Sequence, residues 1–566
     1  MNEFNYKTNF NIILFTIILV CFLFIFFNIN KGLEYSDESY TLLRTLYPNL
    51  EIGKITYFGN INNFLLSFLN YNLGLLKIFC ICVLVFFVTC FAIILKKFTK
   101  EFFNYDYEIS LFVSLSLLGV INFYSDWRLT PNYDYYNFLG IIIYLCGIFL
   151  LFLKKDFSKK YNIFNYLLFI SVGLFFCAIS KPSTFLILCF LTIFCFIFSK
   201  KNKKKFLLFS LLSILLSLIF FIIFLSIIDL TIYSYISEFK FGSNLKKFQD
   251  PRYEMSFLIF GSVKQILYFL YQGISYFILI PFIFILEKKY SKIKNYIFFI
   301  YLIAILFLSK SLLLITCVFS LYIIFKKFDM LKKNIFKTIF LPFVLFSSYF
   351  AYSIGTNSNL VVHLKRVDLI LYFILYYFIL FLEVSKINNK LLKDYCFLFV
   401  ILIFVINKLT TGIYKPFRLN DNVFNQTQKI QVKSLSNKLY VDKLSKDFII
   451  NIQNIFYSNG WIEGNYLIEL SGRYPIFNFI LDAKYVSKPW YLGGYKGSKN
   501  FVSEFLKKTD PLVIKKSWII TSNYKFGIPK DILIDFNVDL EKDFIFIDKF
   551  TDEKNDIHFN IYKPLY

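Results

Sequence analysis

Apolar positions in this chain gather into runs of membrane length, separated by short polar stretches. A helix needs about 20 apolar residues to cross the hydrocarbon core. Runs of that order fall near 11–28, 77–95, 108–124, 137–153, 162–180, 183–199 and 206–228, then near 264–286, 295–309, 311–325, 338–354, 367–384 and 394–408. The pattern predicts thirteen transmembrane helices. Lys7 precedes the first run and no small-residue cleavage site follows it, so it reads as an uncleaved anchor. Three longer polar stretches interrupt the pattern, at 29–76, 124–136 and 229–263. Beyond 408 the pattern changes. Short β-rich pieces (Tyr466–Leu470, Trp518–Thr521, Phe544–Ile547) alternate with helical stretches such as Lys443–Tyr457, which predicts a small α/β domain. The expected organisation is a membrane domain over 1–408 and an α/β domain over 409–566.

Composition narrows the class. Of 566 residues, 57% are hydrophobic and 17% charged, too few polar side chains to cover several soluble cores. The abundance of Phe (77) and Tyr (42) beside Lys reads partly as the imprint of an AT-rich genome and carries no functional message. The net charge of +25 is topological. Lysines cluster at every second membrane exit (Lys96, Lys97 and Lys100; Lys154, Lys155, Lys159 and Lys160; Lys203 to Lys205; Lys386, Lys390 and Lys393), as the positive-inside rule requires. Nucleic-acid binding is therefore not expected. Lysine-rich turns on the cytoplasmic side put the N-terminus inside and, with an odd number of spans, the C-terminal domain outside. All ten cysteines lie in or beside apolar runs and only two histidines are present, so neither a disulfide framework nor a cysteine zinc site is expected.

Candidate chemistry gathers in the outside loops. The first begins Asn30-Lys31-Gly32-Leu33-Glu34-Tyr35-Ser36-Asp37-Glu38-Ser39-Tyr40. Adjacent carboxylates at a membrane face are costly when partly buried, and they usually serve a function. Ser36 or Asp37 can equally cap a short interfacial helix carrying Tyr40, Leu43 and Leu46 on one face; the two readings are compatible. The second loop, Ser125-Asp126-Trp127-Arg128-Leu129-Thr130-Pro131-Asn132-Tyr133-Asp134, offers Arg128 and Asp134, the latter either a site acid or the N-cap of the fourth helix. Lys181-Pro182 forms a tight turn whose lysine either snorkels or meets a ligand. His363, Lys365 and Arg366 open the twelfth span, Lys310 sits in another tight turn, and Arg418 follows the last span. In the tail, Ser471-Gly472-Arg473-Tyr474-Pro475 and Pro489-Trp490-Tyr491-Leu492-Gly493-Gly494-Tyr495 read as turns with core aromatics, or as faces on which a sugar can pack.

An acidic pair in the first outside loop, followed by a tyrosine, resembles the Asp-Glu motif of the GT-C-fold glycosyltransferases. The protein O-mannosyltransferases and the lipid A aminoarabinose transferases are the nearest in pattern; the latter are similar also in having thirteen helices and an extracytoplasmic C-terminal domain. The resemblance covers the whole architecture, although the motif itself is a few residues long. It implies an inverting transfer from a polyprenyl-phosphate sugar donor to a hydroxyl of lipid A, an envelope glycan or a protein, at the outer face of a bacterial cytoplasmic membrane. Asp37, paired with Glu38, would be the catalytic base, and Tyr40, Arg128, Asp134, Lys181, His363, Lys365, Arg366 and Arg418 would bind substrate.

The chemistry asks for that mixture. The leaving lipid phosphate gathers negative charge, which preorganised Arg and Lys stabilise. On the opposite face a carboxylate accepts the acceptor's proton as C1 acquires oxocarbenium character. No cofactor is required on this reading. Asp37, Glu38 and Asp134 have the oxygen ligands to share a divalent cation, but the resemblance points away from one. Two other classes stay open: an O-antigen polymerase or ligase, and a non-enzymatic glycolipid flippase or transporter. Polymerases and ligases place key arginines in one late loop, and transporters place ionisable groups mid-helix. Here the runs are almost clean and the polar candidates gather at one interface.

Overall fold

The computed structural model describes residues 2–103, 108–153, 160–198, 203–249, scattered positions between 264 and 289, 312–326, 335–355, 360–381, 390–552 and 555–565. The spans expected at 264–286 and 295–309, Lys310 and residues 356–359 fall wholly or largely outside that set.

The helical part comprises α1 (Asn2–Phe27), α2 (Asp37–Leu46), α3 (Phe58–Phe68), α4 (Leu73–Phe103), α5 (Ile109–Phe123), α6 (Tyr133–Leu153), α7 (Lys160–Ser180), α8 (Pro182–Phe194), α9 (Lys203–Ile227) and α10 (Ile232–Gln249). It continues with α11 (Leu312–Lys326), α12 (Ile335–Ser353), α13 (Leu360–Leu364), α14 (Leu369–Phe381) and α15 (Lys390–Tyr414). Among the described residues, five helices are long and apolar enough to cross a membrane: Thr8–Phe27, Leu73–Glu101, Tyr133–Leu153, Lys203–Ile227 and Asp394–Tyr414. Shorter apolar helices, among them Ile109–Phe123, Pro182–Phe194 and Leu369–Phe378, pack with them. This part of the chain is membrane-embedded. α6 lies at its centre, 83% buried over its apolar window, whereas Thr8–Phe27 is 22% buried and presents most of its surface outward.

Two boundaries differ from the sequence expectation for an identifiable reason. α15 continues to Tyr414 rather than stopping near 408. Lys408, which reads as a membrane exit, instead turns inward, its Nζ 2.6 Å from Asp368 Oδ2 and 2.9 Å from Asn122 Oδ1. α6 starts at Tyr133, and its cap is Asn132, whose Oδ1 accepts from Asp134 N (3.0 Å) and Tyr135 N (3.2 Å). Asp134 is thus freed from capping.

The C-terminal part holds β1 (Gln428–Ile430) paired with β2 (Leu439–Val441), α16 (Lys443–Ser458), β3 (Tyr466–Glu469), α17 (Ile476–Ile480), β4 (Lys484–Tyr485), α18 (Ser498–Leu506), α19 (Pro511–Lys516), β5 (Trp518–Ser522), β6 (Phe544–Asp552) and β7 (Ile557–Pro564). Five strands form one sheet in the order β4-β3-β5-β7-β6. β4, β3 and β5 run parallel, which requires the helical crossovers between them, while β7 pairs antiparallel with both β5 and β6. The carboxyl ends of β3, β4 and β5 therefore open at one edge, the edge where ligands bind in open α/β sheets.

The first loop is the joint between the two parts. Gly32 N donates to Tyr440 O (2.8 Å), Tyr440 N to Asn30 O (2.9 Å), Ile476 N to Tyr35 O (3.1 Å) and Ile52 N to Ser487 O (2.8 Å). Glu51, buried, accepts from Arg44 Nε and Lys488 Nζ, both at 2.6 Å. α10 reaches the same joint, with Glu238 accepting from Gly53 N and Phe241 packing on Phe505.

Candidate functional site

Asp37 is the first residue of α2, where an acid complements the helix N-terminus, and Arg44 in the last turn complements the other end. The N-cap position belongs to Ser36, but its side chain does not cap. Glu34 does that work from two residues upstream. Its Oε1 accepts from Ser36 N (2.9 Å) and from Ser36 Oγ, and its Oε2 accepts from Glu38 N (2.9 Å). Glu34 is buried, and that burial first, then the Asp37 charge, pushes its carboxyl up to about 7.

The two acids of the Asp-Glu pair diverge. Glu38 accepts from Glu34 N (3.1 Å), from Thr130 Oγ1 and from buried Lys77 Nζ (3.2 Å), clamping α2 to α4 and the second loop. Asp37 points outward, its side chain 45% exposed, and pairs with Arg418 Nη1 at 2.9 Å. Arg418, 48% exposed, also donates to Ser36 Oγ at 2.9 Å. It occupies a left-handed backbone conformation, φ 56°, which costs a non-glycine residue energy and recurs at functional sites. The turn that imposes it follows α15 and is pinned by Phe417 N donating to Asp126 O at 3.0 Å. Gly412 makes the approach possible: any side chain there would collide with the Ser125 carbonyl oxygen.

From this pair a line of charges runs into the bundle. Arg418 and Arg128 both stack on the Phe417 ring, 4.8 and 4.2 Å from its centroid. Arg128 donates from Nε to Asp126 Oδ2 at 2.7 Å, and Arg366 Nε approaches the same oxygen at 3.7 Å. Arg366 Nη1 then reaches Asp134 Oδ2 at 2.7 Å, while His363 Nε2 lies 3.2 Å from Asp134 Oδ1. The His363 ring stacks on Tyr352 at 4.8 Å, and Lys181 Nζ donates to Tyr352 O at 2.5 Å. Exposure falls along the way, from about half at Asp37 to 2% at Asp134. Three carboxylates thus face three guanidiniums and a histidine, with Lys181 on the Tyr352 carbonyl at the inner end and the exposed end beside the C-terminal domain.

Of the residues singled out in the sequence, Asp37, Arg128, Asp134, Lys181, His363, Arg366 and Arg418 meet in this line. Glu38 does not join it. Tyr40 faces the C-terminal domain, edge-on to Trp490 at 5.9 Å and beneath the Arg44 guanidinium. Lys365 is exposed; its carbonyl accepts from Lys408 and Asn122, away from Asp37. Asp37, Glu38 and Asp134 do not converge, and among the described residues no three such side chains form a group able to hold a metal ion. Sequence reasoning missed Asp126, Phe417, Glu34 and Lys77. Asp126, two residues from Arg128, and Glu34, three residues before Asp37, were the detectable ones; Phe417 and Lys77 join the site across chain separations that no spacing reveals.

No family model matches the chain, and no curated protein and no solved structure matches it.

Proposed function

We propose that this protein is an inverting glycosyltransferase that moves a sugar from a polyprenyl-phosphate donor to an acceptor hydroxyl. With thirteen spans and the lysine-rich turns in the cytoplasm, Asp37 and the C-terminal domain lie on the extracytoplasmic face of a bacterial cytoplasmic membrane. The observation that carries the reading is the half-exposed Asp37–Arg418 pair at the end of an apolar bundle, backed by Arg128 on the shared Phe417 ring. A donor with its tail in lipid presents its phosphate at that level.

Phosphate entering beside Phe417 draws Arg418 off Asp37 and exchanges a carboxylate partner for a phosphate one. The released carboxylate takes the proton of the acceptor hydroxyl. The acceptor oxygen then bonds to C1 as the C1–O bond to phosphate breaks, and polyprenyl phosphate leaves with its charge on Arg418 and Arg128. Asp126, itself beside Arg366, holds Arg128 from behind, so it needs little reorganisation when that charge develops.

The test compares envelope glycans by mass spectrometry from a strain lacking the gene, complemented with wild type, Asp37→Asn or Arg418→Ala at equal membrane levels. Loss of a base or of a charge-stabilising donor costs roughly 10²–10⁴-fold in rate. The expected result is one missing sugar increment in the deletion and in both variants, restored by wild type. Full restoration by Asp37→Asn would sink the proposal.

A further inference from the structure

Three loops leave the carboxyl ends of the parallel strands β3, β4 and β5, and two of them converge on Phe526, which lies in the third. Gly472, in the loop after β3, and Gly493 and Gly494, in the loop after β4, all press against it: a side chain at either of the first two would strike the Phe526 carbonyl, and one at Gly494 its ring. Trp490 Nε1 donates to Gly472 O at 2.9 Å and ties the first two loops together. Three glycines thus serve the placement of one aromatic residue.

That residue carries two cations. The Arg473 guanidinium lies 4.0 Å from the Phe526 ring centroid and the Lys525 ammonium 5.2 Å from it. Both side chains are exposed, and among the described residues neither has a carboxylate partner. Like charges sharing one ring repel, and an anion set between them relieves that repulsion. The contrast with Arg128 and Arg418 is direct: that pair also shares a ring, but each member has its own aspartate. The loop after β4 abuts α2 through Trp490 on Tyr40, and the loop after β3 ends at Ile476, whose N donates to Tyr35 O just ahead of that helix. Asp37 heads that helix.

We infer that Arg473 and Lys525, set on Phe526, form the subsite for an anionic group of the acceptor, a phosphate or carboxylate on a glycan whose sugar ring packs against Trp490 and Tyr40. The inference rests on the glycosyltransferase reading for the word acceptor; the anion site itself does not. Arg473 supplies a planar fork for two anionic oxygens, stacking leaves its N–H edges open, and Lys525 adds a point charge.

Saturation-transfer NMR on the full-length protein in nanodiscs tests it with glucose 6-phosphate, glucuronic acid and methyl glucoside as probes. The expected result is binding of the two anionic sugars, weakened about tenfold or more by Arg473→Ala and less by Lys525→Ala. Lys499→Ala, which removes an exposed ion pair with Asp531, should leave it unchanged. Methyl glucoside should be insensitive to all three. Indifference of the anionic sugars to both Arg473→Ala and Lys525→Ala overturns the site. Polyprenyl phosphate is the second arm: its binding should depend on Arg418, and dependence on Arg473 instead would assign the site to the donor and overturn the acceptor assignment. Arg473-dependent anion binding alongside full glycan restoration by Asp37→Asn would keep the anion site and discard the transferase.

Discussion

Glu34 governs the site from beneath. Its two oxygens hold Ser36 and the start of α2, and Ser36 in turn accepts from Arg418, so the protonation of one buried carboxyl reaches the exposed pair through a single hydroxyl. With its carboxyl raised to about 7 by burial and by Asp37, the folded protein keeps a proton that the unfolded chain releases near 4.5. The folded state therefore binds more protons across that window, and stability falls as pH rises from about 4.5 to 7. The full shift corresponds to an effect on the order of 3 kcal/mol. Glu34→Gln, which keeps one acceptor oxygen and cannot ionise, is expected to remove this component. Melting temperatures of the solubilised protein at pH 5, 6, 7 and 8 check it: wild type should lose stability relative to the glutamine variant as pH rises to 7. Parallel curves would mean that Glu34 is charged throughout.

At the scale of elements, helix ends rather than helix middles build the site. α2 contributes its first residue, α6 its second, α13 and the turn after it His363 and Arg366, and α15 the turn that carries Arg418. Gly412→Ala tests how tightly these ends must meet. Forcing α15 off Ser125 is expected to cost about 1–3 kcal/mol and to displace the Phe417 turn from Asp126. The proposed sugar transfer should then fall further than the modest drop in melting temperature implies, whereas Thr411→Ala, on an exposed position, should change neither. This dependence on ends also explains what the sequence could disclose. Run lengths place the described spans well, because hydrophobicity sums over many residues. The caps and last turns escape, because one side chain decides each. Lys408 ended the predicted span although it is paired inside the bundle, and Asp134 looked like a cap until Asn132 took that role. In the tail, the pieces around 466–470, 518–521 and 544–547 are legible as strands. β7 (557–564), which completes the sheet, is absent from the expected pieces although Ile557, Phe559 and Ile561 alternate with His558 and Asn560, the pattern of a half-buried strand.

For the whole molecule, the question is what keeps the C-terminal domain against α2, since Tyr40, Trp490, Tyr35 and Ile476 meet only while it stays there. Glu51 is central to that attachment. Burial alone would raise its carboxyl, but the Arg44 and Lys488 charges outweigh this and take it down to about 2, while burial lowers Lys54 beside it to about 8. A carboxyl lowered this far gives its stabilisation above about pH 4.5 and loses it only as pH falls toward 2, so the joint holds through the neutral range. Glu51→Gln removes the charge on which Arg44 and Lys488 converge. Breaking a buried pair from one side costs about 3–5 kcal/mol, and the cheapest relief is for Lys488 to move back into water with its loop. The domain should therefore loosen before either part unfolds. Hydrogen exchange is expected to accelerate in Glu51→Gln at 47–57 and 486–497 while α6 and β3 stay as protected as in wild type. Uniform acceleration across the sheet would instead make Glu51 part of the domain's own stability rather than of its attachment. Unchanged exchange at 47–57 would assign the joint to the backbone bonds of the first loop and the α10 contacts rather than to Glu51.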